Sequence, residues 1–326
     1  MASSDKKTIV VIGATGNQGS SVAHTFLESP NWNVRCVTRN PSSPASQSLL
    51  TLGAEIVQAD LSDISSLHSA FADAHAIFLN TDFWEKYRAT LREEGTDSSQ
   101  VAFDQEVLHG KNAAMAATNV ATLEHFIYSA LPPAKKHSQG KYPHSYHLNS
   151  KASIVEYIET EQPELAKKMS LIYLGCYITN QMLTPRFDAA SGAYKFVLPM
   201  KKETRIPIVD PQASTGLFVQ VLVESEAAGT KLLAYDSHLS LGEITDIWSR
   251  ASGKTAVFME VSIEEMHRQF GIPIEVLDGA GYINEFGYTG GIVGISEPGE
   301  LRGKVKTKSF EERLRERDWK KILEVN

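Results

Sequence analysis

The stretch VVIGATGNQGSSVAHTF, residues 10–26, places three glycines three residues apart directly after an apolar run. In a strand–turn–helix unit the first glycine permits a tight turn, the second lets the backbone approach a ligand, and the third lets the helix pack on the strand. Amides at the start of such a helix attract phosphate. The stretch therefore predicts a nucleotide cradle; the alternative is a plain tight turn. The residues expected to line the cradle are Gly13, Thr15, Gly16, Asn17, Gln18 and Gly19.

The rest of the first half alternates short apolar strands with helical segments, from residue 8 to residue 131. Such alternation predicts right-handed crossovers and a parallel sheet covered by helices on both faces. The second half is less regular, with short strands predicted in YKFVLP, RIPIVD and KLLAYD. The fold class expected is therefore α/β, a Rossmann-type doubly wound parallel sheet followed by more mixed structure.

Composition excludes several classes of function. The chain has 326 residues, 42% of them hydrophobic, which is enough for a large core, and its formal net charge of −7 disfavours direct binding to nucleic acid or anionic lipid. No run reaches the roughly 20 apolar residues of a membrane span. Cys36 and Cys176 lie in strand-like runs and are predicted to be inert core thiols. A soluble, cytoplasmic protein is expected.

The residue after the second strand bears on which nucleotide binds. An NAD site usually offers a carboxylate there, whereas this strand ends VTRNP, with Arg39 in that place and no carboxylate beside it in the sequence. A guanidinium suits a 2′-phosphate, so NADP(H) is favoured over NAD. The alternative is a surface arginine that stacks on the adenine. Asp60, which ends the third strand, is expected to accept a hydrogen bond from the adenine amino group.

Linked motifs along nearly the whole chain resemble the NmrA-like family of atypical short-chain dehydrogenases/reductases. The motifs are GATGNQGSSVAHTFLE, VTRNP, FLNTDFWE, HGKNAAMAA, EHFIYSALP and EFGYTGG. The resemblance implies a Rossmann domain and a smaller, partly discontinuous C-terminal α+β domain, with NADP(H) in the cleft between them. We expect the first at 1–175 with returning elements at about 208–250, and the second at about 176–207 and 251–326.

The resemblance also suggests catalytic residues. Short-chain reductases use Ser, Tyr and Lys, with Tyr four residues before Lys so that both share one helical face. Lys151 is the expected lysine, a ligand of the nicotinamide ribose, and Ser129 matches the serine. His147, rather than a tyrosine, stands four residues before Lys151. An imidazole can supply a proton near neutral pH, so His147 is a candidate acid; the alternative is a histidine at the rim of the cleft.

Residues that follow the fourth and sixth strands are expected to border the ribose and the nicotinamide: Asn80, Thr81, Tyr177 and Asn180. The aromatic residues of TDFWEKY are predicted either to wall an apolar substrate or to pack a lid. The glycine-rich stretch 278–294 is predicted to form either a mobile loop or core between domains. The final segment, FEERLRERDWKKILE, is expected to be a solvated helix in which at most Leu314 and Ile322 face inward.

Two functions follow from these expectations. The first is an NADPH-dependent reductase of an apolar carbonyl, imine or quinone-like small molecule. The second is a non-catalytic sensor of the NADPH/NADP⁺ balance that acts on a regulatory protein partner, in which case a nuclear location is also expected. No metal is predicted for either, because the histidines of HSQGKYPHSYH have no accompanying cysteine.

Overall fold

The computed structural model describes residues 6–324. The elements of the first half are β1 (Lys7–Ile12), α1 (Asn17–Leu27), β2 (Trp32–Thr38), α2 (Pro44–Thr51), β3 (Glu55–Gln58), α3 (Ile64–Phe71), β4 (Ala76–Leu79), α4 (Phe83–Thr90), α5 (Ser98–Thr118), β5 (His125–Ser129), α6 (Ala134–His137), α7 (Tyr146–Glu161) and α8 (Pro163–Ala166). Those of the second half are β6 (Met169–Leu174), β7 (Cys176–Tyr177), β8 (Arg186–Asp188), β9 (Ala193–Leu198), β10 (Arg205–Val209), α9 (Pro211–Glu224), β11 (Lys231–Ala234), β12 (Ser237–Ser240), α10 (Leu241–Ser252), β13 (Ala256–Glu260), α11 (Ile263–Phe270), α12 (Ile274–Phe286), β14 (Ile295–Ser296), α13 (Phe310–Arg315) and α14 (Trp319–Glu324).

The main sheet has eight strands in the order β14-β11-β6-β5-β4-β1-β2-β3, and every neighbouring pair is parallel. Alternate residues of β1 face opposite layers: Ile9 and Val11 pack with α1 and α9, whereas Val10 and Ile12 pack with α3, α5 and α7. Both faces are therefore buried, which explains why the strands are almost continuously apolar. The predicted Rossmann-type sheet is confirmed.

Two three-stranded sheets form the smaller part, in the orders β12-β10-β7 and β13-β9-β8. The strands predicted in YKFVLP and RIPIVD lie here, and the one in KLLAYD joins the main sheet. Between 208 and 250, β11 belongs to the main sheet and α9 packs on that sheet, whereas α10 packs with the small sheets. The domain boundaries given above stay a prediction.

The last segment is not the solvated helix that its charged sequence predicted. It forms two short helices, α13 and α14, and Phe310 and Leu314 of α13 are each only 1% exposed. Phe310 and Leu314 both pack against the core of the small sheets, which includes Trp248 and Ile244. The prediction was wrong because two apolar residues four apart form one buried edge even when the other positions are charged.

The glycine-rich stretch is mostly helical, because α12 runs through it to Phe286. Tyr282 is fully buried, and Tyr288 donates a hydrogen bond to the carbonyl of Leu174 at 2.8 Å. Of the two interpretations of these aromatics, the structure supports core. Both cysteines are free and buried, as predicted. Within residues 6–324, no helix has the length and apolarity required to cross a membrane.

Candidate active site

The turn between β1 and α1 has the geometry that the three glycines predicted. Gly13 has φ +72°, and its carbonyl accepts the N–H of Gly16 at 2.9 Å. A Cβ on Gly19 would lie 2.2 Å from that same carbonyl oxygen, so only glycine lets α1 approach the turn. Helix α1 begins at Asn17, and the first N–H groups of a helix have no acceptor within it. The turn therefore presents free amides and a positive helix end.

Parallel strands bring the other predicted residues to the same edge of the sheet. Asn80 follows β4 and lies against the turn, with its carbonyl 3.7 Å from where a Cβ of Gly13 would be. Arg39 follows β2, and Ser129 ends β5 and is 3% exposed. The order of the strands reverses between β1 and β4, and ligands of open α/β sheets bind in the crevice at such a point.

At one end of this edge, charged groups gather around Arg39 and Asp60. The backbone N–H of Ser62 donates to Asp60 Oδ1 at 2.7 Å and lowers the pKa of that carboxyl. Arg39 Nη2 lies 2.8 Å from a carboxylate oxygen of Glu85, in the first turn of α4. The sequence beside Arg39 has no carboxylate, but the fold supplies one from 46 residues further along the chain.

Near the middle of the carboxyl edge of the sheet, Lys151 belongs to a buried network of hydrogen bonds. Its ammonium donates to the carbonyl and hydroxyl oxygens of Thr81 at 2.8 and 3.0 Å, and lies 3.0 Å from Glu106 Oε1. Glu106, whose side chain is fully buried, also accepts hydrogen bonds from the hydroxyls of Thr81 and Ser150. The three donors of the ammonium thus all have protein acceptors. Sequence reasoning found Lys151 and Thr81 and missed Glu106.

His147 occupies the position one helical turn before Lys151, and it is paired with a carboxylate. Its Nδ1 lies 2.5 Å from Glu275 Oε1, which also accepts the backbone N–H of His147 at 2.9 Å. The ring lies 4.9 Å from the ring of Trp84 in α4. Glu275, on α12, is 4% exposed. A carboxylate from the second half of the chain therefore orients the imidazole and caps helix α7.

Tyr177 and Gln18 meet at the glycine turn. Gln18 Nε2 donates to the hydroxyl of Tyr177 at 2.5 Å, and burial raises the pKa of Tyr177. Gln18 Oε1 is buried and has no hydrogen-bond partner among the described residues. By contrast, Asn180 uses its Oδ1 locally, to cap the turn at Met182. Asn17, at the start of α1, accepts a bond from Gln212 of α9, and Thr15 is exposed.

A cavity of about 950 Å³ lies outside this edge, along the outer side of α7. Phe103 of α5, Tyr146 of α7 and Tyr173 of β6 line it, and no residue of the glycine turn does. Its charged lining is mixed, with Lys135 and Glu156 among the members. Size alone therefore does not locate the candidate site; the convergence of the strand ends does.

The strand order, the glycine turn and the polar residues at the strand ends define a Rossmann-type α/β protein with its candidate site at the carboxyl edge of the sheet. The model of the NmrA-like family matches residues 5–312. The chain belongs to that family.

Curated relatives carry names of the same kind. The oxidoreductase cpsB of Aspergillus campestris is 28% identical over 87% of this chain and 84% of its own length. The oxidoreductase hkm9 of Aspergillus hancockii is 38% identical, over 41% of this chain and 37% of its own length. The chain therefore spans well under half the length of hkm9. Both relatives are named NmrA-like family domain-containing oxidoreductases.

Solved structures share the fold at low identity. NmrA, a negative transcriptional regulator solved with NAD, has a TM-score of 0.70 and 19% identity over 99% of this chain and 98% of its own. The NADPH-dependent quinone oxidoreductase QOR2 of Escherichia coli, solved with NADPH, has a TM-score of 0.64 and 20% identity over 87% and 90%. At such identities the likeness supports the fold.

Proposed function

We propose that this protein is an NADP(H)-dependent reductase of an apolar carbonyl, imine or quinone-like small molecule. The observation that carries the proposal is the pair of His147 and Glu275, one helical turn from Lys151 beside the strand ends. A histidine oriented by a buried carboxylate is a competent proton donor. The oxidoreductase names of the relatives and the NADPH complex of QOR2 support the same class of reaction.

The residues at the edge fit a dinucleotide. The Cβ that Gly19 lacks would clash with the Gly13 carbonyl of the turn, and Gln18 Oε1 is a buried acceptor that has no partner in residues 6–324. The amides of Asn17 and Gln18 would hold the pyrophosphate, and Arg39 the 2′-phosphate. The remaining expected contacts are the adenine on Asp60 and the nicotinamide end beside Asn80, Thr81, Ser129, Tyr177 and Asn180.

NADPH, when bound, supplies a hydride to the carbonyl or imine carbon. His147 then gives the proton from Nε2 to the substrate oxygen or nitrogen, and solvent replaces that proton. Glu275 holds the Nδ1 side of the ring and fixes its orientation. Lys151 acts as a positioning residue, because its bonds to Thr81 hold the segment after β4. The nearby rings of Phe83 and Trp84 exclude water and favour an apolar substrate.

The test compares two histidines that each pair with a carboxylate of α12. His147→Asn is expected to lower kcat about 10²- to 10⁴-fold with the NADPH dissociation constant unchanged, because proton transfer is lost and binding is not. His144→Asn is the control, since His144 pairs with Asp278 at 2.9 Å but its side chain is 57% exposed. A panel of quinones, ketones and imines with NADPH provides the assay. Equal losses in the two variants contradict the role of His147.

The second candidate is a non-catalytic sensor of the NADPH/NADP⁺ balance that acts on a protein partner. The observation that favours it is the saturation of the Lys151 ammonium by Thr81 and Glu106, which leaves no donor for the ribose. A sensor requires different affinities for its two states. Partner capture with NADPH and with NADP⁺ tests it; equal capture with both rejects it, and turnover of any substrate by the wild type favours the reductase.

A further inference from the structure

The guanidinium of Arg39 is already engaged by another group. Its Nη2 lies 2.8 Å from Glu85 Oε1 and 2.9 Å from Glu85 Oε2, so one nitrogen bridges both oxygens of the carboxylate. The two side chains are 62% and 51% exposed. The pair thus lies at the surface, where a ligand can reach it and compete for it.

Glu85 is held firmly in this place. Helix α4 is capped by Asp82, whose Oδ1 accepts the backbone N–H groups of Trp84 and Glu85 at 2.8 and 3.2 Å. Phe83 and Tyr87 anchor the inner side of α4, with Phe83 1% and Tyr87 8% exposed. Because the helix is fixed by its cap and its buried rings, the backbone of Glu85 stays near Arg39 when a nucleotide arrives, and its carboxylate remains within reach of the bound ribose.

A carboxylate at this position has opposite effects on the two dinucleotides. The 2′-phosphate of NADP(H) competes with Glu85 for Arg39 and is repelled by the carboxylate. The free 2′-hydroxyl of NAD(H) can instead donate a hydrogen bond to a carboxylate, which is how NAD sites commonly hold the ribose. One ion pair therefore contains a residue that favours each cofactor. Arg39, after β2, favours NADP(H), and Glu85, on α4, favours NAD(H).

We propose that Glu85 is a specificity-determining residue that lowers the preference of this site for NADP(H) over NAD(H). The inference rests on the proposed function, in which Arg39 holds the 2′-phosphate. An exposed ion pair contributes little to stability, so the phosphate can displace Glu85 at small cost. Removing the carboxylate is therefore expected to strengthen binding of a 2′-phosphate about three- to fivefold.

The experiment measures calorimetric dissociation constants of adenosine 2′,5′-bisphosphate, 5′-AMP, NADPH and NADH. Glu85→Gln is expected to tighten binding of the two 2′-phosphorylated ligands three- to fivefold, and to leave the other two unchanged or weaker. Glu93→Gln is the matched control: it removes one negative charge just beyond α4, from a residue that makes no ion pair within residues 6–324. Glu85→Gln acting no differently from Glu93→Gln overturns the inference.

Arg39→Gln separates this inference from the proposed function. If Arg39→Gln does not weaken the 2′-phosphorylated ligands relative to the others, the assigned role of Arg39 fails, and the inference fails with it. If Arg39→Gln weakens them and Glu85→Gln leaves the preference unchanged, the role of Arg39 stands and only the inference fails. Thermal melting of each variant verifies folding, which the exposure of both side chains favours.

Discussion

Replacing Lys151 by methionine tests whether the lysine is mainly a partner of a buried carboxylate. The substitution keeps an unbranched side chain and removes the charge that lies 3.0 Å from Glu106, a residue 1% exposed. Breaking a buried pair costs about 3–5 kcal/mol, because a charge is left without its partner. Thr81 and Ser150 still donate to Glu106, so we expect the lower end, about 3 kcal/mol.

For a chain of this size, the entropy of unfolding of about 2.1 cal/mol/K per residue converts that loss to a fall in Tm of about 4–5 °C. The double variant Lys151→Met with Glu106→Gln removes both charges and is expected to regain at least half of the lost Tm. Differential scanning calorimetry measures both. A fall below about 1 °C for Lys151→Met, or a double variant less stable than the single one, would contradict pairing with Glu106 as the main role of the lysine.

Three further outcomes are expected. Gly19→Ala is expected to lower NADPH affinity at least about tenfold, because the new Cβ would lie 2.2 Å from the Gly13 carbonyl oxygen. Gly299→Ala is the control and leaves the affinity unchanged, because no atom lies within 4 Å of its new Cβ. Calorimetric titration with NADPH measures both. Burial raises the pKa of Cys36 and Cys176 to about 12, so at about pH 8 DTNB titrates neither thiol until the chain is denatured; reaction of the native thiols contradicts this. Burial lowers the pKa of His125, so the unfolded chain binds more protons than the folded one as the pH falls below about 6.5, and stability falls with it. His125→Gln is expected to reduce this dependence of Tm on pH. Equal slopes of Tm against pH in the variant and the wild type would contradict the prediction.

The parts of the site that depend on neighbouring residues could be predicted from the sequence. The positive φ of Gly13, the close packing of Gly19 and the position of Arg39 after β2 all follow from local pattern and strand order. In a parallel sheet the carboxyl ends of the strands lie at one edge. The strands predicted from the sequence therefore also placed Asp60 and Asn80 at that edge.

The carboxylates that pair with the predicted residues could not be found in this way. Glu85 lies 46 residues from Arg39, and Glu275 lies 128 residues from His147. Glu106 sits within the long helix α5, whose apolar and polar residues are not clearly separated onto two faces, so the sequence does not indicate that this carboxylate is buried. Each partner is selected by the tertiary packing of α4, α5 or α12, and periodicity carries no information about which distant element packs where.

A crystal structure with NADPH bound would show whether the carboxyl ends of the strands hold the cofactor beside His147. We expect the pyrophosphate at the amides of Asn17 and Gln18, the 2′-phosphate on Arg39, and the nicotinamide between Thr81 and Tyr177 with His147 facing the substrate side. NADPH bound elsewhere, such as in the cavity along α7, or a nicotinamide face closed to any substrate, would contradict it.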